Sequence, residues 1–444
     1  MPGRVGTSIA ERLELMLLPG CVAVLFFATL TLGATPPWAW AATELAVLAL
    51  LALWLVAEAL RGEINLRLPR LAFPLLAILL LVFLQAYARL SVYPPATRQA
   101  AWMLLVVGGF FLLLHNQLSS ESKLEAFVTV LLLFGFALAV FSIVQKLSFN
   151  GKIYWFWTPH QTGEIFGPFI KRNDYAAWAL MLVPLAWIKA GRRRQAREVQ
   201  IFWGLVVLVL GISILYSLSR AGSLLFLLFF PLYLLLGRRP ERSGRAALAV
   251  ALGVILVAAI ATVGLDTGRL LTRWESLSEM FSHSESVELY RWQMWRDTLP
   301  MIRDHLWLGS GMETFIVLSD SYRTFDSPLR WNHAHNEYLE WLAETGLVGG
   351  ALAVWFLLML ARTVAEKMRL TQENRTRQLV VGAALGCLLV LLHSLVDFPL
   401  RIPANMLLFA ALWAVITAPA TGAVLNQRSA DAAAAVGTAE FRLR

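Results

Sequence analysis

The sequence predicts an all-α protein that crosses a membrane many times. Of its 444 residues, 58% are hydrophobic and only 15% are charged. The mean hydropathy of +0.64 is far above that of soluble globular domains. The apolar runs are too long for the strands of a membrane barrel and lack their alternation of polar and apolar residues, so the predicted spans are helical.

About twelve windows have the roughly 20 mostly apolar residues that a spanning helix needs. They lie near residues 15–33, 38–60, 71–88, 99–114, 126–147, 175–190, 200–218, 222–237, 246–265, 343–361, 379–395 and 403–418. They divide the chain into helices one to nine (1–265), a long loop (266–342), helices ten to twelve (343–418) and a tail (419–444). The tail is rich in alanine without apolar periodicity, which predicts disorder. The first window lacks a small-residue cleavage site, which predicts a retained membrane anchor.

Basic residues predict the orientation. More than half of the 38 Lys and Arg residues fall in every second connection, and short connections rich in these residues stay in the cytoplasm. Both termini are therefore predicted to be cytoplasmic. The formal charge of +9 is spread over these connections rather than gathered in one patch, which argues against a nucleic-acid partner. Cys21 and Cys387 lie inside predicted spans, so neither a disulfide framework nor a thiolate metal site is expected.

The loop over residues 266–342 is the main predicted feature on the outward side. Loops of this length in compact proteins are functional or disordered, and the tryptophans of this loop argue for order. These are Trp274, Trp292, Trp295, Trp307, Trp331 and Trp341. Within the loop, "SVELYRWQMWRDTLPMIRDHLW" has apolar residues at helical spacing, which predicts an amphipathic helix at the membrane interface. Two further outward segments are residues 148–174 and the tight turn "SLSRAG".

Charged residues collect at the outer ends of the predicted spans. They are Lys171, Arg172, Arg220, Arg291, Arg296, His335, Asp397 and Arg401. Arginine offers paired donors that fit phosphate oxygens, and a charge at membrane depth is costly unless it serves a ligand. The alternative for any single residue is that it extends to the lipid headgroups, and for Arg291, among tryptophans, that it makes a cation–π contact. Arg220 has the clearest functional indication, because a tight turn between two apolar helices needs no cation.

The segment "RWNHAHNEYLEWLAETGLVGG", residues 330–350, places two histidines just before an apolar run. A histidine at a helix start can be a simple interfacial cap, and this alternative is stronger for His333 and His160 than for His335. Helical spacing assigns the residues of this segment to two stripes. One stripe contains His335, Leu339 and Leu342, and the other contains Glu337, Trp341 and Glu344; one stripe packs while the other can face a cavity.

This segment resembles the signature of the O-antigen ligase and O-antigen polymerase superfamily. In that signature, His-Asn is followed nine residues later by Gly-x-x-Gly, and here His335-Asn336 is followed by Gly346 and Gly349. The similarity extends, in the family's order, to "FGPFIKRNDYAAWALMLVPL", "LSRAG", "ELYRWQMWRDTLPMIRDHLWLGSGMETF" and "HSLVDFPLRIPAN", over roughly residues 140–415. Relatives often have Asn-Arg-Asn where this chain has Lys-Arg-Asn, a change that adds positive charge at Lys171.

The resemblance implies a class C type glycosyltransferase fold in the bacterial inner membrane, with its active site facing the periplasm. The implied donor is an undecaprenyl-diphosphate-linked glycan. Arg220 and Arg291 are expected to hold the diphosphate, and His335 to activate the acceptor hydroxyl. The expected substrate-binding residues are Lys171, Arg172, Trp292, Arg296, His333, Asn336, Glu337 and Arg401. No metal and no cofactor is expected, and the further partners are membrane lipids and the acceptor.

The acceptor distinguishes the alternatives. A ligase would use lipid A–core and a polymerase a second lipid-linked glycan; the shared signature fits both, and the ligase is preferred. Because a diphosphate neutralised by arginines leaves without a proton, one base suffices, which predicts inversion at the transferred sugar. A secondary transporter would also fit the number of spans. The sequence lacks the paired Gly- or Pro-broken spans of such proteins, and its candidate relay carboxylates are only Glu44 and Glu58.

Overall fold

The computed structural model describes residues 2–62, 65–158, 164–192, 195–236, 253, 287–326, 331–369 and 375–419. All regular elements within these ranges are helices, which are connected by turns and loops. Two isolated β-bridges also occur in the described ranges. The helices are α1 (Pro2–Leu30), α2 (Pro37–Arg61), α3 (Ala72–Tyr87), α4 (Pro94–Gln117), α5 (Glu121–Leu147), α6 (Arg172–Ala190), α7 (Arg197–Tyr216), α8 (Arg220–Leu236), α9 (Val287–Asp304), α10 (Phe315–Tyr322), α11 (Glu337–Lys367), α12 (Arg375–His393) and α13 (Pro403–Thr417). Short 3-10 turns cover Leu32–Ala34 and Pro399–Arg401.

The prediction of an all-α polytopic membrane protein is confirmed. In the described part of the chain, seven helices are long and apolar enough to cross a membrane, namely α1, α2, α4, α5, α7, α11 and α12. Three more, α3, α8 and α13, are apolar but shorter. Every predicted window except the ninth overlaps one of these helices or α6. The ninth window, 246–265, lies outside the described residues apart from Gly253, as do the predicted boundary at 265/266 and the tail after residue 419.

Helix α6 occupies the centre of the bundle. It packs against α5, α7, α8, α12 and α13, and from Asp174 to Lys189 its residues are buried on every side. Large side chains fill the space around it; for example, Trp178 meets the edge of Phe134 at a ring separation of 5.8 Å. Because α6 is enclosed by protein, its two ends are held firmly by the surrounding helices. The amino end of α6 lies in the candidate site.

One end of the bundle, here called the basic end, gathers the connections that the charge pattern predicts to be cytoplasmic. Its ion pairs join Arg61 to Glu14 and Glu58, Arg70 to Glu366, and Lys189 and Arg192 to Glu125. Glu58 also accepts the backbone N–H of Asn65 at 2.7 Å. Glu58, which the transporter alternative would use as a relay carboxylate, therefore binds neighbouring groups at the basic end of the bundle. The opposite end, called the site end, carries the amino ends of α6, α8 and α11.

Helix α9 is the helix that the spacing predicts in the long loop, and it lies across the site end. The indole Nε1 of Trp295 donates to the carbonyl of Ala334 at 2.8 Å. Beyond the helix, the carbonyl of Leu308 accepts from the side-chain amide of Gln85, near the end of α3. The backbone N–H of Leu347 donates to the carbonyl of Leu306 at 2.8 Å. These bonds tie α9 to both α3 and α11.

Helix α11 consists of two parts joined at Gly346, which has φ 64° and ψ −167°. A Cβ at this position would lie 2.4 Å from the carbonyl carbon of Trp307. Likewise, a Cβ at Gly309 would lie 2.1 Å from the carbonyl carbon of Glu344. Only glycine combines this backbone conformation with so close an approach of two chains. The first glycine of the Gly-x-x-Gly pair therefore marks the point where the loop crosses α11.

Candidate functional site

The amino end of α11 determines where His335 lies. Asn336 is the N-cap, and its side-chain oxygen accepts the backbone N–H groups of Tyr338 and Leu339, each at 3.1 Å. His335 precedes the helix in a left-handed conformation with φ 52°. The predicted helical stripe of His335, Leu339 and Leu342 is therefore wrong, because the cap ends the helix before it reaches His335. The second stripe, Glu337, Trp341 and Glu344, lies within α11, and Glu344 is buried there in an ion pair with Arg401.

His335 forms a pair with Asp397. Its Nδ1 lies 3.2 Å from Oδ1 of Asp397, to which it donates in the tautomer that leaves Nε2 unprotonated. Asp397 also accepts the backbone N–H of Phe398 at 3.0 Å and the side-chain amide of Asn173, the second residue of α6. Three donors thus hold the carboxylate, and the carboxylate holds the ring. The arrangement is that of a histidine base oriented by an acid.

The surroundings favour a neutral imidazole beside an ionised carboxylate. Burial lowers the pKa of His335; Asp397 opposes this, and the nearby charges of Arg291 and Lys171 add to the lowering, so the pKa lies below the ordinary histidine value. Burial alone would raise the pKa of Asp397, but its hydrogen bond to His335 and the charge of Arg291 hold that pKa well below its usual range. Near neutral pH, His335 is therefore ready to accept a proton.

His333 belongs to a different network. Its Nδ1 lies 2.8 Å from Oε1 of Glu340, and its ring stacks on Phe398 with centroids 4.1 Å apart. Glu340 also accepts the backbone N–H of Ala334 at 2.9 Å. Burial lowers the pKa of His333, but the charge and hydrogen bond of Glu340 outweigh it, so the pKa is raised. His333 is thus engaged with Glu340 and Phe398, which favours a structural role over that of a base.

Arg401 and Glu337, both predicted to bind substrate, connect elements of the protein. The guanidinium of Arg401 contacts Oε1 of Glu313 at 2.6 Å and Oε2 of Glu344 at 2.7 Å. Glu337 accepts the backbone N–H of Leu400 at 2.7 Å and the hydroxyl of Ser394. Cutting such buried networks leaves uncompensated charge. The two residues join α11 to the segment between α12 and α13.

Cations surround the His335–Asp397 pair. The Nζ of Lys171 lies 4.5 Å from the ring centroid of Phe398, and this ring also meets the edge of His335 at 4.9 Å. On the α9 side, Nη1 of Arg291 donates to the carbonyl of Val396 at 3.4 Å. The buried Nε of Arg291 has no hydrogen-bond partner among the described residues. Lys171 and Arg291 therefore bring positive charge next to the candidate base from two different elements.

The amino ends of α6 and α8 lie side by side at this end of the bundle, and each helix begins with an arginine. A Cβ added to Gly222 in α8 would lie 2.6 Å from Cβ of Ala176 in α6. Arg172, the first residue of α6, pairs with Glu164, and Arg220 is the first residue of α8. Helix amino ends carry partial positive charge and unpaired N–H groups. Two such ends with two arginines suit an anionic ligand such as a diphosphate.

The remaining predicted residues are placed elsewhere. Trp292 and Arg296 are exposed on the outward side of α9, and His160 lies outside the described residues. Sequence reasoning missed Asn173 and Phe398 as site residues, and it named Asp397 only as part of the charged rim. The available signal was the "DFP" run directly after an apolar span, since an acidic residue at that depth needs partners. Within the described ranges, no group of three or more His, Cys, Asp or Glu side chains could hold a metal ion.

Comparison with known proteins gives one family match. Residues 205–354 match the protein family described as O-antigen ligase, and a search of curated proteins found no match. The matched segment includes Arg220, Arg291 and His335, together with both parts of the long loop that the structure describes. Members of this family process lipid-linked glycans. Residues 205–354 of this polytopic membrane protein are thus similar to the family described as O-antigen ligase.

Proposed function

We propose that this protein transfers a glycan from an undecaprenyl-diphosphate carrier to an acceptor hydroxyl of lipid A–core at the periplasmic face of the inner membrane. The observation that carries the proposal is the His335–Asp397 pair, with Arg291 and Lys171 beside it and the arginine-bearing amino ends of α6 and α8 at the same end of the bundle. A base and a group of cations are the two components that this transfer requires.

His335 supplies the base. Its neutral Nε2 takes the proton of the acceptor hydroxyl while that oxygen attacks the anomeric carbon. Asp397 holds the ring in the required tautomer and stabilises the imidazolium that forms. The rings of Trp331, at 5.5 Å, and Phe398, at 4.9 Å, meet the imidazole nearly edge-on and restrict its rotation.

The arginines stabilise the leaving group. As the bond between the anomeric carbon and the diphosphate oxygen breaks, its electron pair passes to that oxygen, and negative charge develops there. Arg291 and Arg220 meet this charge with paired donors, supported by Lys171 and the amino ends of α6 and α8. Arg172 is paired with Glu164, so it joins the diphosphate only by exchanging that partner. No proton is needed on the leaving group.

These components support a single displacement, and therefore inversion at the transferred sugar without a metal ion. Retention by double displacement would need an additional carboxylate free to attack the sugar. Two carboxylates of the loop are already engaged, because Asp297 accepts the N–H and hydroxyl of Thr324 and Glu313 pairs with Arg401. Asp397 is held by three donors beneath His335. The geometry thus favours one base and no enzyme nucleophile.

The test is transfer by the purified full-length protein from a defined lipid-linked donor, offered either lipid A–core or a second lipid-linked glycan. We expect a product with lipid A–core, formed in the presence of EDTA, whose new linkage has the opposite anomeric configuration to the donor by NMR. Product formed only with the second lipid-linked glycan would make the protein a polymerase. Retention, or activity restored by a divalent ion after EDTA, would contradict the mechanism.

A further inference from the structure

The outer face of α9, defined by Trp292, Arg296, Leu299 and Arg303, has no role in the proposed transfer. These residues are spaced by four, three and four positions and so share one stripe of the helix. All four are exposed, with Trp292 at 66% and Leu299 at 55% of their possible accessible surface. The opposite stripe is buried and contains Met294, Asp297, Thr298 and Met301. Helix α9 therefore has one buried stripe and one exposed stripe, and half of the residues on the exposed stripe are apolar.

The composition of this face is typical of helices that lie in a membrane interface. Cations alternate with large apolar side chains, and Trp307, just past the end of the helix, is 68% exposed. Tryptophan and arginine are enriched at the level of lipid headgroups, where a ring is partly buried and a guanidinium meets phosphate. Apolar side chains exposed in such a row indicate a contact surface.

Backbone hydrogen bonds tie the segment that follows α9 to the start of the apolar part of α11. The carbonyl of Trp307 accepts the N–H of Val348 at 3.1 Å, and that of Leu306 accepts the N–H of Leu347 at 2.8 Å. Leu347 directly follows the break at Gly346 and begins the apolar part of α11. The side-chain amide of Gln85 reaches the same turn from the last part of the apolar helix α3. The end of α9 thus lies at the level where two apolar helices reach the bundle end.

We propose that the outer face of α9 binds anionic phospholipid headgroups of the leaflet at the site end of the bundle. Arg296 and Arg303 contact the phosphates, while Trp292, Leu299 and Trp307 enter the interface between headgroups and acyl chains. This gives Trp292 and Arg296 a lipid partner in place of the glycan. Because the same helix carries Arg291, lipid contact would also hold this arginine at a constant height above the bilayer.

The position of this face on the helix favours bilayer lipid over the reacting substrates. Arg291 and Trp295 point toward the segments that carry Val396 and Ala334. At about 100° per residue, Arg296 lies about 140° around the helix from Arg291. The outer face also offers two cations, Arg296 and Arg303, and no base. Charge complementarity with anionic headgroups therefore identifies the occupant.

The experiment measures lipid contact locally in the full-length protein. Leu299→Cys carries a fluorophore, and the native Cys21 and Cys387 are buried. The protein is reconstituted in phosphatidylcholine vesicles that contain spin-labelled phosphatidylglycerol or spin-labelled phosphatidylcholine. We expect quenching by both, with a ratio clearly in favour of phosphatidylglycerol that falls about fivefold for each of Arg296→Gln and Arg303→Gln. The double variant Arg362→Gln/Arg369→Gln, which removes two positive charges at the basic end where each single variant removes one, should leave the ratio unchanged.

Three results would overturn the proposal. Absence of quenching by either lipid would mean that the outer face is in water. Equal quenching by both lipids, unchanged in the arginine variants, would mean apolar contact without recognition of anionic headgroups. Loss of phosphatidylglycerol contact when lipid A–core is added would assign the face to the acceptor. A fluorophore at Trp307→Cys repeats the measurement if Leu299→Cys does not fold. Since quenching does not require transfer, the result is independent of the proposed function.

Discussion

At the scale of single residues, His335 and His333 are separated by one residue but have opposite environments. His335 is paired with Asp397 and has a pKa lowered by burial, whereas His333 is paired with Glu340, which raises the pKa of His333 against the effect of burial. We expect His335→Ala to lower the transfer rate by about 10²–10⁴-fold, the usual effect of losing a general base, at nearly normal membrane levels. His333→Ala should instead lower the unfolding temperature, because it removes one of the partners of the buried carboxylate of Glu340, and should retain most of the rate per folded molecule. Equal losses of rate in both variants would contradict these assignments.

The pH dependence of transfer follows from the lowered pKa of His335. The base is active when unprotonated, so kcat/KM should fall only as pH drops below the ordinary histidine value. Lys171→Gln removes a positive charge that lowers this pKa, and should move the acid limb to higher pH. Asp397→Asn removes the carboxylate that opposes the lowering, and should move the limb to lower pH while reducing the rate by about a hundredfold or more through loss of ring orientation. An unchanged limb in both variants would exclude His335 as the titrating base.

Arg220 and Arg291 can act on the diphosphate through directed hydrogen bonds or through positive charge alone, and lysine variants distinguish the two. If Arg220 and Arg291 hold the diphosphate with paired donors, lysine keeps the charge but loses the planar fork. Each of Arg220→Lys and Arg291→Lys should therefore reduce turnover by about tenfold or more. Arg303→Lys, in the exposed part of α9, is the matched control and should turn over normally. Turnover is measured as the initial rate at saturating donor. Wild-type turnover in both site variants would mean that the arginines act on the diphosphate only through their positive charge.

At the scale of elements, the two-part structure of α11 gives a stability prediction. Gly346 has φ 64° and ψ −167°, a backbone conformation that residues other than glycine rarely adopt. Backbone atoms of Trp307 also occupy the space that a Cβ would take. Gly346→Ala should destabilise the protein by about 1–3 kcal/mol, measured by thermal unfolding in detergent. Gly204→Ala in α7 is the control, since a Cβ there would meet nothing within 4 Å. Equal unfolding temperatures for the two variants would show that the break in α11 is not required.

The same break explains why the glycine spacing and the histidine belong to one element. The short first part of α11 carries the N-cap Asn336 and the buried Glu340 and Glu344, and its far end is held against the turn at Gly309. His335 is thereby attached to a segment that is fixed at both ends. A continuous helix through Gly346 would change the direction of this segment relative to the apolar part of α11.

At the scale of the whole molecule, orientation is the property on which the proposed function depends. The ion pairs at the basic end and the site residues at the other end agree with the charge pattern of the sequence. Ser321→Cys, exposed in α10 at the site end, should react with an impermeant thiol reagent in cells with a permeabilised outer membrane. Ser122→Cys, exposed at the basic end, should react only after the inner membrane is lysed. The reverse pattern would place the site in the cytoplasm and end the proposal of a lipid-linked donor.

The sequence by itself determined the class of the protein. Long apolar runs determine the helices because a backbone in lipid must satisfy its own hydrogen bonds, and the basic connections predict the sides of the membrane. The local pattern of His-Asn and Gly-x-x-Gly indicated the family and the candidate base. Each of these signals resides in neighbouring residues, so no knowledge of packing is needed to read it.

Only the tertiary structure decided which charged residues have partners and which remain available for a ligand. Arg401 looked like a phosphate ligand but is paired with Glu313 and Glu344. Asp397, by contrast, joins His335, which directly precedes the N-cap of α11, to Asn173 in α6. A single sequence shows that charged residues are present at the bundle end but not how they pair. The partners are dozens to hundreds of residues apart, and no repeating sequence pattern links residues at that separation. The packing of α6, α11 and α12 brings these residues within hydrogen-bond distance. That packing, rather than any local pattern, orients the proposed base.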